Sequence, residues 1–458
     1  MKAVELSKSI EGLTGALQGR VCLPGQKNYD ELRTPWLRVI NQHPALIVEA
    51  TSVSDIAAAV RFARNHSLPL GVMSTGHGIV AACDNGLLLR LTQMKRIEIN
   101  SQTNSARLEP GVTSGEMLKL TEAEGWVYAA GQVSNVGVIG YTLGGGMGWL
   151  VRKLGAACEA VQSVEVVLAD GSVVTASAQE NADLFWAVRG GGGNFGIVAS
   201  LELNLVPIKT IVGGEAWYSL SSARDVMRYY RDWSADLPED TSTVLRLMAV
   251  EPNADLPDQL RGKTACAIGI CHANPETADA MLKPLFSHHP PLVNNIKARQ
   301  LSEMAQFDKA SHLPGAPTYG HVEFLKSLSN EVIDKLVAVA EHSIPPLMQI
   351  EVQQLGGALQ HSNAGQCAFA PSAAPYLLHL VTPVTPKTTL EDVAKATQKA
   401  FADLGDVYTG EANYNFLRGD EQFRVPKAFG EEKYKRLREI KRRFDSENLF
   451  HLNLNIAL

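Results

Sequence analysis

Three glycine-dense loops constrain this chain more than any other feature. VMSTGHG spans Val72 to Gly78, GVIGYTLGGGMG spans Gly137 to Gly148, and RGGGGNFG spans Arg189 to Gly196. Glycine permits positive φ and lets backbone N–H groups approach an anion with no Cβ in the way. Several such loops in one domain imply an extended ligand carrying a diphosphate. The third loop contains G-x-G-x-x-G at Gly191, Gly193 and Gly196. The dinucleotide fingerprint needs a strand before that motif and a helix after it. Here the pattern predicts a helix before it (Asp183 to Val188) and a strand after it (Ile197 to Leu205). The reversed order removes a nicotinamide-binding Rossmann unit, and no G-x-x-x-x-G-K-[ST] occurs, which removes a P-loop.

Around these loops the sequence alternates short apolar runs and amphipathic stretches. Strands are predicted at Leu46–Ala50, Pro69–Met73, Leu87–Leu91, Ile97–Asn100 and Val164–Leu168. Ser54 and Asp55 open a helix with Ile56, Ala59, Val60 and Ala63 on one face, and Thr113 and Ser114 cap another. Gly125 to Val151 carries no charge, but its seven further glycines speak against a spanning helix, so it reads as buried loop and strand. After Pro207 the glycine loops stop and longer helices alternate with strands at Tyr319–Leu325, Leu347–Leu355 and Tyr376–Val381. The predicted domains are therefore 1–206, completed by 411–458, and 207–410. From Asn413 on, a strand, a basic helix and a short apolar tail are expected.

Composition sets the remaining bounds. With 45% hydrophobic and 20% charged residues the 458-residue chain is globular, and a net charge of −6 gives no pull toward nucleic acid or anionic lipid. The six cysteines form no C-x-x-C pair, so neither a disulfide scaffold nor a metal site is expected. No apolar core of signal-peptide length opens the chain, which gives a cytoplasmic location, no membrane, and a monomer or homodimer as the expectation.

These loops, in this order, resemble the FAD-linked oxidases of the vanillyl-alcohol-oxidase (PCMH-type) superfamily, in its berberine-bridge-enzyme-like branch, with the bacterial 6-hydroxy-D-nicotine oxidase group as the nearest relatives. Met73 to His77 matches the family's RSGGH, Gly144 to Gly148 its GGGxG, and Leu184 to Val198 (LFWAVRGGGGNFGIV) and Arg436 to Ile456 two further segments. The resemblance implies an α+β fold: a two-subdomain FAD-binding domain plus a substrate domain with an antiparallel sheet flanked by helices. It implies covalent attachment of FAD through His77, by attack of a neutral imidazole on the methyl group of the flavin's benzene ring. The second covalent anchor of some members would fall at Val133, which cannot form the bond, so the flavin is expected to be singly linked. The cofactor site is expected to comprise Val72, Met73, Ser74, Thr75, Gly76, His77 and Gly78 from the first loop. Val136, Gly137, Gly140, Tyr141, Gly144, Gly145, Gly146 and Gly148 would come from the second, and Gly193, Asn194, Gly196, Ile197 and Val198 from the third. Asn413, Asn415 and Asn453 would complete it from the C-terminal segment. Val136 is of the size that the family associates with oxygen reaching the reduced flavin. Met73, Thr75, Glu159 and Ser446 depart from the family's usual Arg, Gly, Asp and Pro.

On the substrate side, Gln349, Glu351 and Gln353 alternate with Met348, Ile350 and Val352, as on a strand facing a pocket; Tyr319, His321 and Glu323 alternate likewise. A solvent-exposed sheet face reads equally well from that pattern. Glu351 is the candidate base or substrate-orienting group. Many family members use a Tyr two residues before an Asn, but Asn413 stands there, with Tyr414 beside it on the opposite face; both are kept as catalytic candidates. The seven Lys and Arg between Lys433 and Arg443 read as a solvated helix face. The function expected is oxidation of a small organic substrate by hydride transfer to FAD, with O2 as the electron acceptor and hydrogen peroxide as the product. Three alternatives stand beside it: a dehydrogenase using another acceptor, a biosynthetic oxidase closing rings or introducing double bonds, and a non-catalytic flavin- or ligand-binding protein.

Overall fold

The computed structural model describes residues 3–307, 317–342, 349–361 and 365–458, and the fold is α+β. Three sheets organise it. A four-stranded sheet has the order Arg20–Cys22, Leu46–Glu49, Leu87–Arg90, Leu70–Met73, with its last three strands parallel. Those three strands are almost wholly buried, as the short apolar runs predict. The helix Val53–Asn65 crosses between two of them and buries Ile56, Ala59, Val60 and Ala63; its N-cap is Ser52, two residues earlier than expected, because the Ser52 hydroxyl accepts from Asp55 N. A second, antiparallel sheet has the order Ile97–Asn100, Ser105–Leu108, Ile197–Asn204, Val161–Val167, Val173–Ser177.

Residues 211–383 build the third sheet, eight-stranded and antiparallel. Its core strands run in the order Ile211–Ser219, Thr264–His272, Thr241–Ala249, Gln349–Gln354, Tyr376–Pro383, Thr318–Leu325. One face carries Leu245, Leu247, Ile350, Val352, Leu378 and Leu380, packed under helices through Val226, Tyr230, Leu336 and Phe401. The other face meets the glycine loops. Gly269 makes that approach possible: a methyl group there would lie 3.1 Å from the ring of Trp149.

Two expectations are overturned, the first in part. Gly125 to Val151 is mostly loop, as expected, with isolated β-bridges at Val127 and Gly137, but it holds no strand and residues Val138–Leu143 form a short helix. Gly137 and Gly144 bound this helix, so the polar and glycine positions mark its ends rather than a strand. Asn413 does not start a strand either. Its side chain accepts from Asn415 N at 3.1 Å, and this local bond turns the chain into a 3-10 helix at Tyr414–Phe416. Among the described residues no helix is long and apolar enough to cross a membrane.

Candidate active site

The strand Leu70–Met73 delivers the first glycine loop, and the segment 35–37 clamps it. Trp36 N donates to Thr75 O (3.3 Å) and Leu37 N to Gly76 O (3.2 Å). Gly76 has φ +86° and passes so close to Pro35 that a Cβ would sit 2.7 Å from Pro35 Cα. Only glycine meets both demands. The clamp lays the Trp36 indole on the His77 imidazole, with centroids 4.0 Å apart and planes 15° from parallel. Nothing near His77 in sequence signals this partner.

The first two loops are joined. Gly137 N donates to Thr75 Oγ1 at 3.3 Å, so the Thr that departs from the family's usual glycine supplies the bond. Val136, just before it, accepts from Ser114 N at the helix Ser114–Ala123. In the triple glycine, close packing sets the residue type. A side chain at Gly144 would collide with Asn415, whose amide donates to Tyr141 O (2.9 Å), and one at Gly145 would meet the Phe369 ring at 2.5 Å.

The third loop leans on the C-terminal segment. Asn194 is fully buried; its amide donates to Gly191 O (2.9 Å) and the Tyr414 hydroxyl (2.8 Å), and its Oδ1 accepts from Ile456 N (2.9 Å). The Tyr414 hydroxyl in turn donates to Leu454 O (2.8 Å), and burial pushes its phenol pKa up. Asn194 and Tyr414 thus tie the loop to the tail, and Ile197 and Val198 are sheet core. Lys441 is a residue that the basic run concealed. Its side chain is completely buried, pairs with Asp445 at 2.5 Å and donates to Asn194 O at 2.8 Å.

Gly78, Gly140 and Gly193, one from each loop, are exposed, and a Cβ on any of them would meet nothing within 4 Å. Trp36 Nε1, Tyr141 Oη, Asn453 Oδ1 and Asn455 Oδ1 are shut off from solvent with no hydrogen-bond partner among the described residues. Open backbone on three linked loops and unsatisfied polar atoms beside them fit an elongated, polar, anionic cofactor such as FAD.

Comparison with known proteins agrees. Residues 44–177 match the FAD binding domain family model, and residues 412–457 match the berberine and berberine-like model. The uncharacterized FAD-linked oxidoreductase YgaK of Bacillus subtilis is 26% identical over 96% of this chain and 97% of its own. The (R)-6-hydroxynicotine oxidase of Paenarthrobacter nicotinovorans is 35% identical over 44% of this chain and 45% of its own. Among solved structures, 6-hydroxy-D-nicotine oxidase from Arthrobacter nicotinovorans superposes with TM-score 0.86, at 24% identity over 96% of this chain and 98% of that one. The chain is similar to the berberine-like FAD-linked oxidoreductases in both matched regions.

In this oxidoreductase the large sheet turns a polar face toward the second glycine loop. Arg246 is paired with Glu351 (Nε to Oε2, 2.9 Å) and Glu215 (Nη1 to Oε1, 2.8 Å), and its guanidinium lies 5.6 Å from the centroid of the Trp149 ring. Gln349 donates to the same Glu351 oxygen at 2.7 Å. The strand register sets Arg246, Glu351 and His379 side by side. The His379 imidazole lies over Gly320, where a Cβ would meet Nε2 at 2.8 Å, and 5.4 Å from the Phe416 ring. Alternation pointed to Glu351 but not to Arg246, Glu215 or His379, which sit in runs that are otherwise apolar. Met348 lies outside the described residues.

Tyr319, His321 and Glu323 do not share that face. Val322 pairs with His379, which pairs with Glu351, so these neighbours point the other way. There His321 lies between Glu323 (3.0 Å) and Glu421 (3.1 Å), and Arg424 bridges the two carboxylates. Asn413 lines a small cavity with Met147, Gly190 and Phe369, between the second and third loops, and its amide points to the Met147 sulfur at 3.8 Å. Asn453 donates to Gly193 O at 3.4 Å.

Proposed function

We propose that this oxidoreductase removes hydride from a carbon of a small amine or alcohol, passes it to FAD covalently held by His77, and returns the electrons to oxygen as hydrogen peroxide. The observation that carries the reading is the buried Arg246–Glu351 pair, set on a sheet face against Trp149, directly after the loop that the Thr75–Gly137 bond joins to His77.

FAD supplies the redox chemistry when bound; the protein supplies position and charge. Arg246 and Gln349 both bond Oε2 of Glu351, which leaves Oε1 to accept an N–H or O–H of the substrate. Arg246 and the buried Arg299 both act on Glu215, so the charges balance, and the remaining acceptor oxygen of Glu351 favours a donor-bearing substrate. Holding the donor carbon at near-attack distance supplies much of the rate. Tyr414 has its hydroxyl engaged by the tail, so Glu351 and Asn413 are the groups that orient substrate, with Asn415 and Asn453 serving the cofactor side. Val136 leaves oxygen a path to the reduced flavin.

The deciding experiment is rapid mixing of the substrate-reduced enzyme with air-saturated buffer. Reoxidation within seconds, with one peroxide formed per flavin, is expected. Reoxidation over many minutes, with no peroxide, would overturn the oxidase reading.

A further inference from the structure

His77 does not meet its cofactor as an isolated side chain. One face of its imidazole is covered by Trp36, at 4.0 Å and 15° from parallel. The cover is built in by the backbone. Residues 36 and 37 donate to the carbonyls of residues 75 and 76, and Pro35 fills the space that Gly76 leaves. Ring nitrogens hold their lone pairs in the imidazole plane, at its edge. A stack covers a face of the ring and not its edge, so it removes the freedom of the ring to tilt without itself occupying the bond-forming lone pairs.

We propose that Trp36 is a positioning residue for flavin attachment, its indole holding the His77 ring edge-on to the flavin methyl group. The inference rests on the reading of His77 as the covalent anchor. In the attachment step a bond forms between an imidazole nitrogen and the methyl carbon. The methyl C–H and the imidazole N–H break, and both hydrogens leave as protons. The electron pair of the C–H bond stays in the isoalloxazine, which is thereby reduced by two electrons. Dioxygen then accepts that pair and two protons and becomes hydrogen peroxide. A ring free to rotate would reach the methyl in a small fraction of its orientations, and pre-orientation of this kind accelerates intramolecular bond formation by large factors.

The test compares holoenzymes by acid precipitation, reading flavin in pellet against supernatant, together with the rate at which apoprotein mixed with FAD acquires acid-stable flavin. Wild type is expected to keep its flavin in the pellet, and His77→Ala to bind FAD but release it. Trp36→Phe, which still stacks, should attach flavin within about 3-fold of the wild-type rate. Trp36→Leu, of similar bulk but without a ring, should attach it at least 10-fold more slowly. If Trp36→Leu matches Trp36→Phe, the positioning role is wrong while the anchor stands. If wild type itself releases its flavin into the acid supernatant, the anchor is wrong and the inference falls with it. Should Trp36→Leu fail to fold, Trp36→Tyr and Trp36→Met replace the pair with the same ring and non-ring expectations.

Discussion

Arg246 and Glu351 meet at 2.9 Å from adjacent strands, and their side chains are only 3% and 10% exposed. A buried ion pair is costly to break from one side, because the remaining charge has no water to turn to; losses of about 3–5 kcal/mol are usual. Arg246→Met takes from Glu215 and Glu351 the cation they share, leaving them Arg299 and Gln349 respectively, and is expected to lower stability toward the lower end of that range in thermal melts. Glu351→Gln keeps an acceptor for Arg246 and leaves the Glu215 pair intact, so it should cost under about 1.5 kcal/mol. It should nevertheless slow anaerobic flavin reduction at least 10-fold with flavin content unchanged. Reduction at the wild-type rate would remove Glu351 from the substrate side.

His321 carries a pH signature. Burial pushes its pKa down, but hydrogen bonds to Glu323 and Glu421 outweigh this and raise it to about 9 from 6.5. The charged groups facing it are Glu323 on its own strand and Glu421 and Arg424 from the C-terminal segment, with Phe401 at its edge. The folded pKa lies above the unfolded one. The stabilisation is therefore complete below about pH 6.5 and is lost as pH rises through about 9, by up to ~3 kcal/mol. Melting curves between pH 6 and pH 9.5 should show wild type losing more stability than His321→Gln. Parallel curves would contradict the assignment.

Lys441 tests how the tail supports the third loop. Its ammonium, fully buried, holds Asp445, Asn194 O and Phe450 O at once. Lys441→Met leaves a buried carboxylate and two carbonyls short of a donor, which should cost about 3–5 kcal/mol in chemical denaturation and lower the flavin-to-protein absorbance ratio. Arg443→Met changes the same helix where the side chain is 65% exposed, and should stay within about 0.5 kcal/mol. Equal losses in the two variants would show that the helix alone matters.

What the sequence disclosed and what it hid follow from the range of the forces involved. Glycine spacing and apolar periodicity are local, so the three loops, the helix after Ser52 and the strands between residues 46 and 100 are legible from short windows, whereas the strand Ser105–Leu108 is not. The face of Glu351 was open on alternation alone; strand register decides it, and the same register turns His321 away. The helix at Val138–Leu143 hid among glycines that mark its ends. Trp36, Arg246 and Lys441 were hidden because their roles depend on partners far along the chain. A tryptophan beside a proline, an arginine in an apolar strand and a lysine in a basic run look ordinary until the fold brings them to His77, Glu351 and Asn194.

Tyr414 separates support from chemistry. Its hydroxyl donates to Leu454 O and accepts from Asn194, and burial pushes its pKa up, so it stays protonated across the working range. Tyr414→Phe deletes both bonds and leaves Leu454 O and the Asn194 amide each short of a partner, an expected cost of about 1–3 kcal/mol. A phenol that never ionises and faces the tail moves no proton for the substrate. The pH profile of flavin reduction should therefore keep its shape in Tyr414→Phe, with any fall in rate equal at every pH. Asn413→Ala, whose side chain lines the cavity between the second and third loops, should instead weaken substrate binding several-fold, with a stability loss of about 1 kcal/mol from the lost cap. A limb of the pH profile that disappears in Tyr414→Phe would move the proton-handling role from Glu351 to this tyrosine.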